Sequence, residues 1–400
     1  MHSPLGLMRA WLGLPDSAGL LSRPPIRALT SLRFFAALCV VVLHATNHGL
    51  LPETWSYQWD FSKAVTFFFV LSGFVLTYAY EGRHYKINSF YKARFARVWP
   101  AAALSIILVP IILPATSYLP SQPDLQGISL LVSLAGLQAW LPTPELFFAF
   151  NAVTWTISVE FVFYALFPFL QRGLYRWPCL TLFSTLTLGL LLAAFAVWWQ
   201  LPSFADDRLT QPVWEGLVYI NPLARLAEFL FGMLAGRLYL NLNFSRLIGR
   251  WQEWATRHPL ISSLVELIAP TILLFLCFSG FLIEWDKVSF LREPFSLLFN
   301  QWLTGLGFAV FLICISASRG RLCQFLCWTP LVMLGEVSYG IYLFHQPLMI
   351  RAAQINGIVL GGIQLLPASF LPVLAWVLLV SAVSWRCVER PLQGLLKKTL

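Results

Sequence analysis

Long apolar runs recur along this chain, separated by short polar interruptions. A helix needs about 20 predominantly apolar residues to cross the hydrocarbon core of a bilayer. Ten segments meet that requirement: 31–50, 64–80, 99–117, 152–171, 178–199, 216–238, 261–283, 296–316, 328–350 and 364–386. The pattern predicts an all-α polytopic membrane protein with about ten transmembrane helices. A further apolar run, 125–140, is short. Taken alone it fits an eleventh crossing, a re-entrant piece or an interfacial helix. No internal repeat and no low-complexity tract interrupts the pattern. One membrane domain is expected over 27–392, between a cytoplasmic segment 1–26 and a short cytoplasmic tail 393–400.

Composition agrees with the pattern. The chain is 58% hydrophobic and 11% charged, against about 25% charged residues in average soluble domains. A surface that meets lipid needs little charge, and membrane lipid is therefore an expected partner. The net charge of +9 would suggest nucleic acid in a soluble protein. Here the basic residues lie between apolar segments, so no nucleic-acid partner is expected. With ten crossings and the N-terminus inside, 21 Lys and Arg fall on the cytoplasmic side and 5 outside, with Arg225 left within a span. That asymmetry is the positive-inside signature. An eleventh crossing at 125–140 would invert every later loop and erase it, so this run is not expected to cross, and both termini are expected in the cytoplasm. Pro4, Pro15, Pro24 and Pro25 break the first 26 residues, and no cleavable signal peptide is expected. The seven cysteines lie in or beside apolar runs without paired spacing and are expected to serve packing.

Ionisable side chains within a span are costly unless paired or hydrated, which makes each a candidate for function. In the first span Arg33 precedes His44 by eleven residues, or about 16 Å of helix. His48 follows one turn later. No carboxylate lies within that turn to complete a metal site, so no metal is expected. His44 alone is equally compatible with a histidine hydrogen-bonded inside the bundle. In the fourth span Glu160 is expected about 12 Å from the outer end, at a depth similar to that of His44, with Tyr164 on the same face. Such a carboxylate would either tune His44 as a general base or tie helices together. Arg225 and Glu228, three residues apart, read as an internal ion pair. In the ninth span Ser338, Tyr342 and His345 fall near one face, with Glu336 and Tyr339 close by. They either line a polar cavity or join helices. Ahead of the third span a basic cytoplasmic loop carries Arg94 and Arg97, one turn apart if helical. Two guanidiniums so placed suit a phosphate, although topology alone would also make the loop basic.

Five stretches, taken together and in order, resemble the acyltransferase 3 family of bacterial membrane proteins. They are Ile26 to His44 with its Arg-x10-His spacing; Thr66 to Phe74, which contains Ser72-Gly73-Phe74; Phe90 to Pro100 with Arg94-x-x-Arg97; Asn151 to Pro168 around Trp155-Thr-Ile-Ser-Val-Glu160; and Leu334 to Pro347, joined near the end by Val-Glu389-Arg-Pro391. The resemblance implies ten core spans in the bacterial inner membrane and an acyl-CoA co-substrate, commonly acetyl-CoA. It implies transfer of the acyl group to a hydroxyl of a cell-envelope glycan or lipid-linked sugar. A small glycoside such as a macrolide is an alternative acceptor. It implies His44 as the catalytic histidine, acting as general base or transient acyl carrier, with Arg33 as its motif partner. Arg94 and Arg97 would hold the donor, while Glu160 and His345 match family positions. Ser72, Tyr164, Tyr339 and Tyr342 are expected to line the site. Some relatives append an extracytoplasmic hydrolase-like domain. The chain stops at residue 400 without one, and a stand-alone enzyme is expected. The rival class is a transporter of a small polar solute, for which a polar membrane core is equally natural. The sequence shows neither an inverted repeat nor the short helix-breaking pairs of such folds.

Overall fold

The computed structural model describes residues 23–394 except 53, 55–58, 207–208, 279–292, 356, 361–362, 368 and 393. The expected cytoplasmic segment as far as residue 22, and almost all of the expected tail, lie outside the described residues. The principal helices are α1 (Arg27–Asn47), α2 (Lys63–Tyr80), α3 (Ile87–Ile112), α4 (Pro123–Ala135), α5 (Trp155–Arg176), α6 (Pro178–Trp198), α7 (Leu226–Leu240), α8 (Leu242–Arg257), α9 (Pro259–Phe278), α10 (Phe295–Ala317), α11 (Arg321–Leu326), α12 (Thr329–Gln354) and α13 (Phe370–Ser384). Among the described residues eight helices are long and apolar enough to cross a membrane. Of the ten predicted spans, 216–238 and 328–350 are not among these eight. The first is broken, and the second, within α12, is interrupted by polar residues. Outward faces are strongly apolar: Leu180, Phe183 and Leu191 on α6, and Leu260, Leu264 and Phe275 on α9, are all at least half exposed. In water such a surface would be an association hazard; in a bilayer it meets lipid of its own kind.

At the centre of the bundle α2 and α7 lie almost backbone to backbone. Small residues allow this. A Cβ on Gly73 would sit 2.0 Å from the Phe229 carbonyl oxygen, and one on Gly232 would sit 1.9 Å from that of Val70. Gly232 and Gly236 are four residues apart, the small-x-x-x-small spacing by which membrane helices approach closely when no hydrophobic effect drives them together. The same device joins α1 to α12, where a Cβ on Gly335 would meet the Thr30 carbonyl oxygen at 1.9 Å. These two contacts bring α1, α2 and α12, the carriers of most candidate residues, into the middle of the molecule.

The 125–140 run forms a short helix and a turn, not one continuous spanning helix. α4 is 13 residues long, or about 20 Å, too short to span a bilayer. Its last turn reaches the middle of α3, where Trp99 Nε1 donates to the Leu134 carbonyl at 3.0 Å. Gly136 then turns the chain in the left-handed region (φ +67°). Irregular backbone packed inside the bundle needs partners from the protein, and the start of α5 with the residue before it supplies them. Ser158 Oγ accepts from the Ala139 amide at 3.3 Å, and Gln138 Nε2 donates to the Thr154 carbonyl at 2.9 Å.

Three predicted spans are redrawn. The third begins at Ile87 rather than at residue 99, so Arg94 and Arg97 stand on a helix, one turn apart, and not in a loop. A hydropathy window sees only the apolar half of that helix. The sixth is not continuous. A wide helical turn over Gly216–Ile220 gives way to extended backbone at Asn221, and α7 starts afresh at Leu226. Pro222, which lacks an amide hydrogen, follows at this break. The tenth starts at Phe370, because residues Gly357–Leu360 (β1) pair antiparallel with Ile363–Pro367 (β2) in a small hairpin. β-branched residues in 357–367 suit that hairpin as well as they suit a helix end.

Candidate active site

α1 carries Arg33 and His44 on one face, since eleven residues make just over three whole turns. The two side chains have different company. At the His44 level α12 contributes His345, whose Nε2 lies 2.8 Å from His44 Nδ1. The rings are nearly parallel, 14° apart, with centroids at 5.0 Å. His345 is fully buried, and its Nδ1 lies 3.1 Å from the carbonyl oxygen of Ile341, one turn back. A proline fixes this stretch of α12. Pro347 has no amide to give to Leu343, and the freed Leu343 carbonyl accepts instead from Asn151 Nδ2 at 2.8 Å. Tyr342 adds a second tie, its hydroxyl 2.9 Å from Thr156 Oγ1 at the start of α5.

At the Arg33 level the surroundings are charged. Arg33 stands within electrostatic range of Arg97, Tyr164, Glu160 and Arg94. Glu160 accepts hydrogen bonds from the Tyr164 hydroxyl and, at 3.4 Å, from Ser72 Oγ. The guanidinium of Arg94 lies 6.0 Å from the Tyr80 ring centroid, while its buried Nε has no hydrogen-bond partner among the described residues. Tyr339 donates to the Val98 carbonyl at 2.7 Å, joining α12 to α3 between the two arginines and Trp99. Three guanidiniums thus share a neighbourhood with Glu160 and with Glu389, whose nearest charged influence is Arg97. Arg33, Ser72, Arg94 and Glu160 are half-buried, and Arg97 is exposed. Near this end of the bundle the phenol of Tyr85 donates to Gln171 at 2.9 Å. Burial, helped by the neighbouring Tyr80, Tyr91 and Glu81, pushes that phenol up to about 12, which keeps it a donor.

The structure separates two expected partnerships. Glu160 was expected beside His44, but it lies with Arg33, and the partner of His44 is His345. The depth reckoning missed because the segment before α5 delivers the chain into it already level with His345, where Asn151 bonds Leu343. Arg33 likewise belongs to the arginine cluster rather than to the histidine. Tyr339 and Tyr342 use their hydroxyls to join helices. Among the described residues no group of three His, Cys, Asp or Glu side chains is placed to hold a metal ion. Two contributors escaped the sequence reading as site residues, Asn151 and Glu389. Both stand in stretches that carry the family resemblance. Glu389 is buried, in a wide helical turn over Trp385–Glu389, a feature often found at functional sites.

A family model described as an acyltransferase domain, acyltransferase 3, matches residues 26–386. The chain belongs to this family. It is 23% identical to the peptidoglycan O-acetyltransferase OatA of Listeria monocytogenes over 396 residues, covering 93% of this chain and 56% of that protein. It is 22% identical to the O-acetyltransferase OatA of Staphylococcus aureus over 387 residues, covering 91% and 57%. Similarity to the acyltransferase MdmB of Streptomyces mycarofaciens is 29% identity over 221 residues, covering 52% and 56%. The chain thus spans little more than half the length of the curated relatives it matches. No solved structure matches.

Proposed function

We propose that this chain is an acyltransferase of the bacterial inner membrane, with both termini in the cytoplasm. It moves an acyl group, most simply acetyl, from cytoplasmic acyl-CoA to a hydroxyl of a cell-envelope glycan or lipid-linked sugar. One observation carries the reading. An arginine cluster and a histidine pair stand on the same face of α1, about 16 Å apart along its axis. The arm joining the coenzyme's pyrophosphate to its thioester sulfur is a chain of about 13 bonds, equivalent to a little over four extended residues or about 15 Å. Phosphates held by Arg33, Arg94 and Arg97 would therefore present the thioester at His44.

The chemistry follows from that placement. The acceptor hydroxyl attacks the thioester carbonyl, forming the C–O bond as its proton passes to His44 Nε2. The C–S bond then breaks, and the departing thiolate takes the proton from His44 to leave as the free thiol of coenzyme A. A transient acyl group on His44 is the alternative route. The arginine and histidine levels lie toward opposite ends of α1, which suits a donor made inside the cell and an acceptor that approaches from outside. The test is to supply purified protein in nanodiscs with labelled acetyl-CoA and to compare, by mass spectrometry, envelope glycans from cells with and without the protein. Label that reaches no glycan, together with unchanged glycans, overturns the reading. Reporters fused to each terminus test the orientation, and either one found outside the cell overturns it.

A further inference from the structure

We propose that His345 is a positioning residue that fixes His44 in the tautomer able to accept a proton on Nε2. The proposal rests on the acyl-transfer reading for its catalytic consequence, and on hydrogen-bond bookkeeping for the tautomer itself. A backbone carbonyl can only accept, so the 3.1 Å contact with Ile341 makes His345 Nδ1 the donor. In a neutral imidazole the other nitrogen is then an acceptor. His345 Nε2 must therefore accept across the 2.8 Å contact, and His44 Nδ1 must be the nitrogen that carries hydrogen. By elimination His44 Nε2 holds the lone pair, and it has no hydrogen-bond partner among the described residues.

The arrangement does for a histidine what an orienting carboxylate does in other catalytic dyads. It differs in carrying no charge. When His44 takes the acceptor's proton it becomes a cation whose Nδ1–H already points at a neutral acceptor, and the bond shortens and strengthens with the charge. The Ile341 carbonyl, held one turn away on the same helix, prevents His345 from flipping to the tautomer that would donate to His44. The clamp is rigid because α12 is anchored on both sides of it, at Tyr342 by Thr156 and at Leu343 by Asn151.

The test uses full-length protein with three substitutions at one position. His345→Gln places an amide near the position of the ring Nε2 and can still accept from His44. His345→Asn reaches only the position of Nδ1, and His345→Leu offers neither. Expected are a fall in kcat of about 10²-fold or more for Leu and Asn, unchanged KM for donor and acceptor, and substantial rescue by Gln. A second readout does not depend on turnover. The chain has six histidines, so nitrogen-15 NMR of histidine-labelled protein, with the His44 signals identified by their loss in His44→Gln, reports its tautomer directly. His44 should be hydrogenated on Nδ1 in wild type and shift toward the Nε2–H form in His345→Leu. Wild-type His44 hydrogenated on Nε2 overturns the proposal. So does a Gln variant as inactive as Leu when both bind donor normally. The stated tautomers in a protein that transfers no acyl group support the clamp while overturning the acyl-transfer reading.

Discussion

The bundle holds two polar clusters made from similar side chains, and they differ in balance and in access. Around the break before α7, Arg225 Nε lies 3.1 Å from Glu228 Oε2, with both side chains fully buried. Thr66 donates to Glu228 at 2.9 Å and accepts from Arg225 Nη2 at 3.1 Å. The guanidinium lies 5.1 Å from the ring centre of Phe69 and 5.0 Å from that of Tyr219. One cation meets one anion, and aromatic faces close the site. The other cluster sets three arginines, Arg33, Arg94 and Arg97, against the carboxylates Glu160 and Glu389; Arg97 is exposed, Glu389 is buried and the rest are half-buried. A neutral, sealed cluster holds a broken helix together. The other cluster carries surplus positive charge and is not sealed. The break at Asn221 and Pro222 is the kind of feature a transporter would use, but here the sealed ion pair occupies it.

The comparison breaks first at His44. His44→Ala should lower turnover by about 10²–10⁴-fold while the protein still inserts and binds donor. Near-normal turnover of acyl-CoA by a folded His44→Ala protein would return the residue to the structural class.

The sealed cluster should fail in the opposite manner. Glu228→Ala leaves the Arg225 guanidinium buried without its anion, a change that typically costs about 3–5 kcal/mol. Thermal unfolding in detergent should show a large loss of stability, with donor affinity intact in the fraction that folds. Weakened donor binding in a protein of normal stability would move this pair into the active site.

The arginine cluster sharpens the contrast at smaller scale. Arg94→Lys with Arg97→Lys keeps the charge but loses the planar fork. Each lost charge-assisted contact is worth about 1.5–3 kcal/mol, so donor affinity should drop about tenfold or more, with acceptor KM nearly unchanged. Titration of acyl-CoA against both proteins measures it. Equal dissociation constants would leave the two arginines as topology signals.

How much of this was legible depends on which interaction sets each feature. The all-helical membrane architecture follows from apolar run length, a local property, and so does the shortness of the 125–140 run, although its turn at Gly136 does not. The Arg33 and His44 face follows from helical period. What the sequence hides is pairing across helices. Nothing local tells His44 that its partner is 301 residues away on α12, or that α5 enters level with His345 and so carries Glu160 down to Arg33. Helix register of that kind is set by close contacts such as Gly335 on Thr30, which depend on three-dimensional fit.

Tyr339 tests the contrast where the expected effect is smallest. It stands between the histidine and arginine levels, on the same helix as His345, and a tyrosine there was expected to line the site. Its hydroxyl instead donates to the Val98 carbonyl at 2.7 Å. That bond is neutral, and its donor serves the backbone of α3 rather than a substrate. If this is its whole role, Tyr339→Phe keeps the ring and its packing and loses one hydrogen bond, at about 1 kcal/mol. Donor and acceptor KM should both stay at wild-type values. If the hydroxyl also meets the acceptor, the Phe variant should show a raised acceptor KM with no change in melting temperature. Measuring both on one preparation separates the two roles. A change confined to KM would place Tyr339 with His44, and a change confined to stability would place it with Arg225 and Glu228.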